Sequence, residues 1–177
     1  MESRRAVSLL QRLFRSAPDP REALRPLWHR VVELSRDPAL YRDDGVADTV
    51  PGRFDMIAAI LALVMLRLEA EGHAQETALL AELFVADMDA QLRETGVGDI
   101  VVGKHIGRLM SVLGGRLGAL RQALASDDPA ELEAALDRNV TMLEGRDTQD
   151  LARRLRGFAD KLAALDAPAV LEGRIAL

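Results

Sequence analysis

The sequence predicts an all-α protein: a single compact domain of about six to seven helices, with no sheet. Three observations carry this expectation. Apolar residues recur at helical spacing along most of the chain, and no segment alternates with β-branched residues over a strand's length. Aromatics make up 3% of a chain that is 49% hydrophobic, so the core is built from Leu, Ala, Val, Ile and Met, a palette that favours helices. An aspartate followed at once by proline and, three residues after the aspartate, by glutamate opens two segments, Asp19-Pro20-Arg21-Glu22 and Asp128-Pro129-Ala130-Glu131.

Residues 2–15 read as a basic amphipathic helix. Leu9, Leu10, Leu13 and Phe14 gather on one side, with Arg4, Arg5, Arg12 and Arg15 around them. Such a segment either packs on its own domain or lies on an anionic membrane surface. The helix opened by Asp19 is expected to run to about Ser35, with Pro26 either kinking it or moving its start. Asp37-Pro38 begins a turn or short helix ending near Tyr41, and Arg42 to Val50 reads as an ordered loop. The next helices are expected from Pro51 to Gly72, from Gln75 to Thr95 with Gly96 as a left-handed cap, and from an Asp99 cap to Ala125. Asp128 opens a helix ending at Gly145. A last one runs from Thr148 to Leu165, where Pro168 stops it. The run Met56 to Leu66 is apolar throughout and reads as a fully buried core helix. It is shorter than the roughly 18 residues a membrane span needs. The expected organisation is an arm over 1–17, a helical domain over 18–167 and a tail over 168–177.

The 177 residues fit one domain with a core of ordinary size. A formal net charge of −5 argues against a nucleic-acid binder. The absence of cysteine excludes disulfides, thiolate catalysis and cysteine-held zinc. The N-terminus lacks a secretory apolar stretch, so a cytoplasmic protein is expected. His29, His73 and His105 have no metal-ligand spacing, and Gly96-Val97-Gly98 is too short for a dinucleotide fingerprint. No metal, cofactor or catalytic residue is therefore expected.

Two constellations remain. On the 75–95 helix, Asp87 and Gln91 fall within the apolar stripe of Leu80, Leu83, Phe84, Met88 and Leu92, whereas Asp89 and Arg93 fall outside it. A carboxylate on a packed face requires a partner, and Arg53, Lys104 and Arg108 are the candidates. The pair would either fix helix register or form the polar floor of a groove. On the following helix Gly103, Gly107, Ser111, Gly115, Ala119 and Ala123 make a ridge of small residues beside Val102, Ile106, Leu109, Leu113, Leu117 and Leu120. Such a ridge permits close backbone approach, either within the domain or by a partner helix.

Two polar, glycine-punctuated segments match no catalytic pattern. The first is Tyr41-Arg42 through Gly45-Val46, Asp48-Thr49 and Gly52-Arg53-Phe54-Asp55-Met56-Ile57. The second is Asp87-Met88-Asp89, Leu92-Arg93-Glu94, Gly96-Val97-Gly98-Asp99 and Val102-Gly103-Lys104, continued by Gly115-Arg116 and Ala119. In order and separation they resemble the signatures of the ubiquinol–cytochrome c chaperone family, over roughly residues 25–125 with a weaker helical extension. The chain departs from that pattern at Ala47, Ile60, Leu113-Gly114 and Leu120, which make it less aromatic and less polar there.

The resemblance implies a bacterial assembly chaperone with no enzymatic activity. Its client would be the cytochrome b subunit of ubiquinol–cytochrome c reductase, nascent or newly inserted. It also implies a peripheral place at the cytoplasmic face of the inner membrane, and mitochondrial members work with a small partner protein. A monomer is expected. On this reading Tyr41, Asp48, Arg53, Phe54, Asp55, Asp89, Arg93, Val97, Asp99 and Lys104 contact the client, and Asp87, Gln91, Gly103 and Gly107 shape the groove. The residues alone leave two alternatives open: a helical carrier of a small ligand such as haem or quinone, and a structural helical oligomer.

Overall fold

The computed structural model describes residues 19–94 and 102–177, without the side chains of 92–94 and 102–105. The expected arm, the Gly96 and Asp99 caps and the residues between them lie outside this set. Asp19 opens a 3-10 turn, Pro20–Leu24, which leads into α1 (Arg25–Leu34). Pro26 sits in the first turn of α1, where its missing N–H costs nothing, so it moves the helix start and makes no kink. There follow α2 (Pro38–Arg42), α3 (Val50–Ala70), α4 (Ala74–Glu94), α5 (Val102–Leu124), α6 (Pro129–Asp137), α7 (Gln149–Ala163) and α8 (Ala167–Leu171). Among the described residues there is no strand, only an isolated antiparallel bridge between Val46 and Met142.

One device starts most of these elements. Asp19, Asp37, Thr49, Asp128 and Asp166 each accept a hydrogen bond, 2.9–3.3 Å long, from a backbone N–H two or three residues on. Each is followed within two residues by a proline, whose fixed φ suits the first turn. Pro168 thus opens α8 as well as ending the preceding run.

α3 is the axis of the fold. Residues 55–65 are buried on every side of it, and it packs against α1, α4, α5, α7 and α8. A helix apolar all round has no stable position except one enclosed by others. α4 and α5 pack on it and on each other, while α6 bridges α5 and α7. Arginine forks close several helix ends, where carbonyls lack helical partners. Arg67 of α3 donates to the carbonyls of Leu162 (2.9 Å) and Leu165 (2.6 Å) at the end of α7. Arg156 of α7 donates to Ala123 and Ser126 at the end of α5, at 3.1 and 3.2 Å. Arg30 of α1 holds the Ile175 carbonyl at 3.0 Å, so the end of the chain, read from sequence as a tail or a docked turn, lies against the domain with Ile175 buried.

One helix ends early. α6 stops at Asp137, eight residues before Gly145. Val140 is buried in the core, and the backbone from Thr141 to Leu143 is claimed by the 45–47 loop. Those tertiary bonds replace the helical ones that local propensity would have continued.

Candidate functional site

The first signature folds into a locked loop. Ala47 N donates to the Thr141 carbonyl and Leu143 N to the Gly45 carbonyl, both at 2.9 Å. Gly45 has φ +81°, a backbone shape that side chains resist, and Arg146 packs over it. A Cβ at Gly52 would lie 2.0 Å from the Ala47 carbonyl oxygen, so only glycine fits that close approach. Asp44 is buried and ion-paired to Arg154. Much of this segment's chemistry is thus spent on holding α3 against the 141–146 loop.

Asp55 carries the same theme inward. It is 7% exposed and ion-paired to Arg116 of α5. Its other oxygen accepts from Thr141 N at 2.9 Å and from Thr141 Oγ1 at 2.7 Å. Arg116 also donates to the Asn139 carbonyl at 2.9 Å and lies over the Phe54 ring, 5.5 Å from its centroid. Burial pushes the Arg116 guanidinium pKa below its ordinary value, and the Asp55 charge pushes it back up. Asp55, expected at the client surface, is therefore an internal cross-link. With both oxygens engaged and the residue buried, this aspartate is not at the surface for a docking molecule.

The other expected contacts divide. Asp48 and Arg53 are exposed and paired at 2.6 Å, and the Arg53 guanidinium holds the Asp48 carboxyl below the usual carboxylate range. Phe54 is half-buried, its ring centroid 5.8 Å from that of Phe84. Tyr41 is half-buried, donates to the Ser35 carbonyl at 2.5 Å, and has its phenol pKa pushed up by that burial. Asp89 is half-buried on α4. Val97 and Asp99 lie outside the described residues, as do the side chains of Arg93 and Lys104. Asp87, expected on a packed face, is only half-buried; Gln91 Nε2 donates to it at 3.5 Å, while Arg53 is taken by Asp48.

α4 stands between two grooves. One, of about 1010 Å³, runs between α1 and α4, floored by Trp28 and Leu83 with Asp87 and Ala90 on its edge. The other, of about 490 Å³, runs between α4 and α5, lined by Ala81, Val85, Asp89, Ile106 and Met110. Arg21 reaches both.

The α5 side of the second groove bears on the two readings of the small-residue ridge. Within-domain packing of the ridge would bring atoms against Gly107 and Gly115, and Gly114 and Gly118 lie beside them on the same helix. No described atom lies within 4 Å of a Cβ built at Gly107, Gly114, Gly115 or Gly118. Ser111 is exposed between them. Ile106, in the neighbouring stripe of large residues, is 38% exposed, and Met110 is 45% exposed. The packed side of α5 is Leu109, Leu113 and Leu120 of the neighbouring stripe, together with Ala123 at the end of the ridge. The pattern of small residues identified the helix but not which side the core would take. Sequence reasoning gives Met110 no role and places Arg116 in the second signature without one; the signals are that Met110 is one turn from Ile106 and that Arg116 is a cation amid apolar positions.

The described residues thus form an all-helical scaffold in which one side of α5 presents small and apolar side chains. The chain matches the family model described as Ubiquinol-cytochrome C chaperone over residues 42–177, and it belongs to that family. The match takes in the C-terminal helices beyond the 25–125 region that carried the resemblance. It is similar to the crystal structure of the Cbp3 homolog from Brucella abortus, with 28% identity and a TM-score of 0.74, covering 97% of this chain and 95% of that chain. No curated protein matches the chain.

Proposed function

We propose that this protein assists assembly of ubiquinol–cytochrome c reductase by holding an apolar helix of its cytochrome b subunit, nascent or newly inserted, at the cytoplasmic face of a bacterial inner membrane. One observation carries the site: the α5 face of Gly107, Ser111, Gly114 and Gly118, flanked by the exposed Ile106 and Met110. Glycine inside a helix costs roughly 1 kcal/mol relative to alanine. Several on one open face call for a compensating contact outside the domain. Small residues let a second backbone approach closely, as membrane helices do with one another. A client helix waiting for its partners has a face that needs such cover, and a groove with apolar anchors supplies it.

Charged residues at the start of α3 give this contact its orientation. Asp48 and Arg53 are exposed and exchange partners at little cost, which suits a loop flanking the held helix. No helix of the described residues is long and apolar enough to cross a membrane, which fits peripheral attachment.

The test is crosslinking of the tagged protein in its native cells, purification from detergent-solubilised membranes and identification of what is attached. Wild type and Met110→Glu are compared. Cytochrome b with wild type, reduced at least about tenfold in the variant, supports both function and site. Equal recovery with a folded variant removes the site. Recovery with neither, and reproducible haem or quinone in its place, would replace this reading by the ligand carrier.

A further inference from the structure

We propose that the groove between α1 and α4 docks an acidic amphipathic helix of a partner protein. This groove is separate from the α5 face, with α4 between them, and its occupant does not depend on the client-binding reading above.

One wall of the groove is built by α1 and the residues just after it. Arg25, His29, Val32 and Arg36 recur at intervals of three or four residues, so they line one side. Trp28 and, from α4, Leu83 form the floor and are 3% and 4% exposed. Ala86 and Ala90 of α4 are small and exposed, and add little bulk to the opposite wall.

The charge to spare in this groove is positive. Two of the carboxylates lining it serve the fold. Glu33 pairs with Arg30 at 2.8 Å, and Asp37 caps α2 by accepting from Ala39 N at 2.9 Å. Asp87 accepts from the Gln91 side chain at 3.5 Å on the α4 edge. The Arg36 guanidinium is exposed and makes no ion pair or hydrogen bond among the described residues. Arg25 pairs at 2.7 Å with Glu22, which does not line the groove. Both side chains of that pair are about half exposed, and such a pair exchanges partners at little cost.

These features select the occupant. Arg25 and Arg36 are eleven positions apart, about 16 Å along a helix axis. A small carboxylic acid or a lipid headgroup reaches one of them, whereas carboxylates about three turns apart on a helix reach both. The buried floor lies below the rim, out of reach of a flat bilayer. A helix seated here sets its carboxylates on Arg25 and Arg36 and its apolar side chains over Trp28, Val32 and Leu83. The charges fix its register, and the floor covers its apolar stripe.

The test uses the full-length tagged protein with the photo-crosslinker p-benzoylphenylalanine in place of His29, irradiated in its native cells. The same group in place of Asp150, on α7, is the control. Mass spectrometry identifies the residues attached. The expected adduct is on a protein segment with carboxylates about eleven positions apart and apolar residues between them. Arg25→Glu/Arg36→Glu should lower its yield at least about tenfold, and Arg25→Lys/Arg36→Lys less than about threefold. Thermal midpoints establish that both variants fold. A second measurement needs no variant: in cell extract the wild-type yield should fall as salt is raised. Adducts on lipid, adducts on a basic segment, or a yield no higher than the Asp150 control overturn the proposal. So does a yield unmoved by charge reversal and by salt. Failure to recover cytochrome b while these adducts form overturns the client-binding reading and leaves this one standing.

Discussion

Asp55 of α3 and Arg116 of α5 form a buried ion pair across 61 positions of sequence, and the same carboxylate takes both hydrogen bonds of Thr141. One side chain thereby joins α3, α5 and the loop after α6. Removing one partner strands the other charge away from water. Asp55→Ala should lower unfolding free energy by about 3–5 kcal/mol. Urea denaturation followed by circular dichroism reads this directly. A loss under about 1 kcal/mol would mean that Arg116 finds another acceptor.

Two glycines should respond in opposite ways to the same substitution. At Gly52 a Cβ meets the Ala47 carbonyl oxygen at 2.0 Å, and both backbones are fixed by hydrogen bonds. Gly52→Ala should destabilise by about 2 kcal/mol or more, because a segment bound to Thr141 must move. At Gly107 a Cβ meets no described atom. Gly107→Ala should stabilise by up to about 1 kcal/mol through helix propensity. Gly107→Leu should leave folding intact and weaken client capture, because it fills the approach the glycine leaves open. Thermal midpoints of the three variants decide it.

Asp19 should titrate far below an ordinary aspartate. Hydrogen bonds from the Arg21 side chain and backbone lower its pKa from 3.8 to about 2. A carboxyl depressed in the folded state adds stability above its unfolded pKa. That contribution is lost as pH falls through the folded value. The Pro20–Leu24 turn should therefore hold at pH 4 and loosen as pH approaches 2. Carboxyl chemical shifts give the midpoint, and Arg21→Ala should return it towards 3.8.

The Asp48–Arg53 pair should matter to capture and not to folding. Both side chains are more than half exposed, and solvent screens such pairs. Arg53→Glu should leave the unfolding midpoint nearly unchanged and return the Asp48 carboxyl to the usual range. Client recovery should fall, and in wild type it should fall with added salt. Full recovery with Arg53→Glu would remove the pair from the client surface.

Helix type and order could be read from the sequence because their causes are local. Asp19, Asp37 and Asp128 each stand before a proline, and the apolar run from Met56 to Leu66 has no exposed side to offer. The family could be read because its two signatures are contiguous in sequence. What the signature residues do could not be read. Asp48 and Asp55 are seven positions apart and equally charged, yet one is on the surface and the other is enclosed by Arg116 and Thr141. The end of α6 was hidden for the same reason: the partners that stop it, Gly45 and Ala47, are about ninety residues earlier. The glycines of α5 announced a close approach by something. Only tertiary structure decided that the core takes Leu109, Leu113 and Leu120 and leaves Gly107, Gly114 and Gly118 open. A helix has several faces that could be buried, and which one is chosen depends on neighbours far away in the chain.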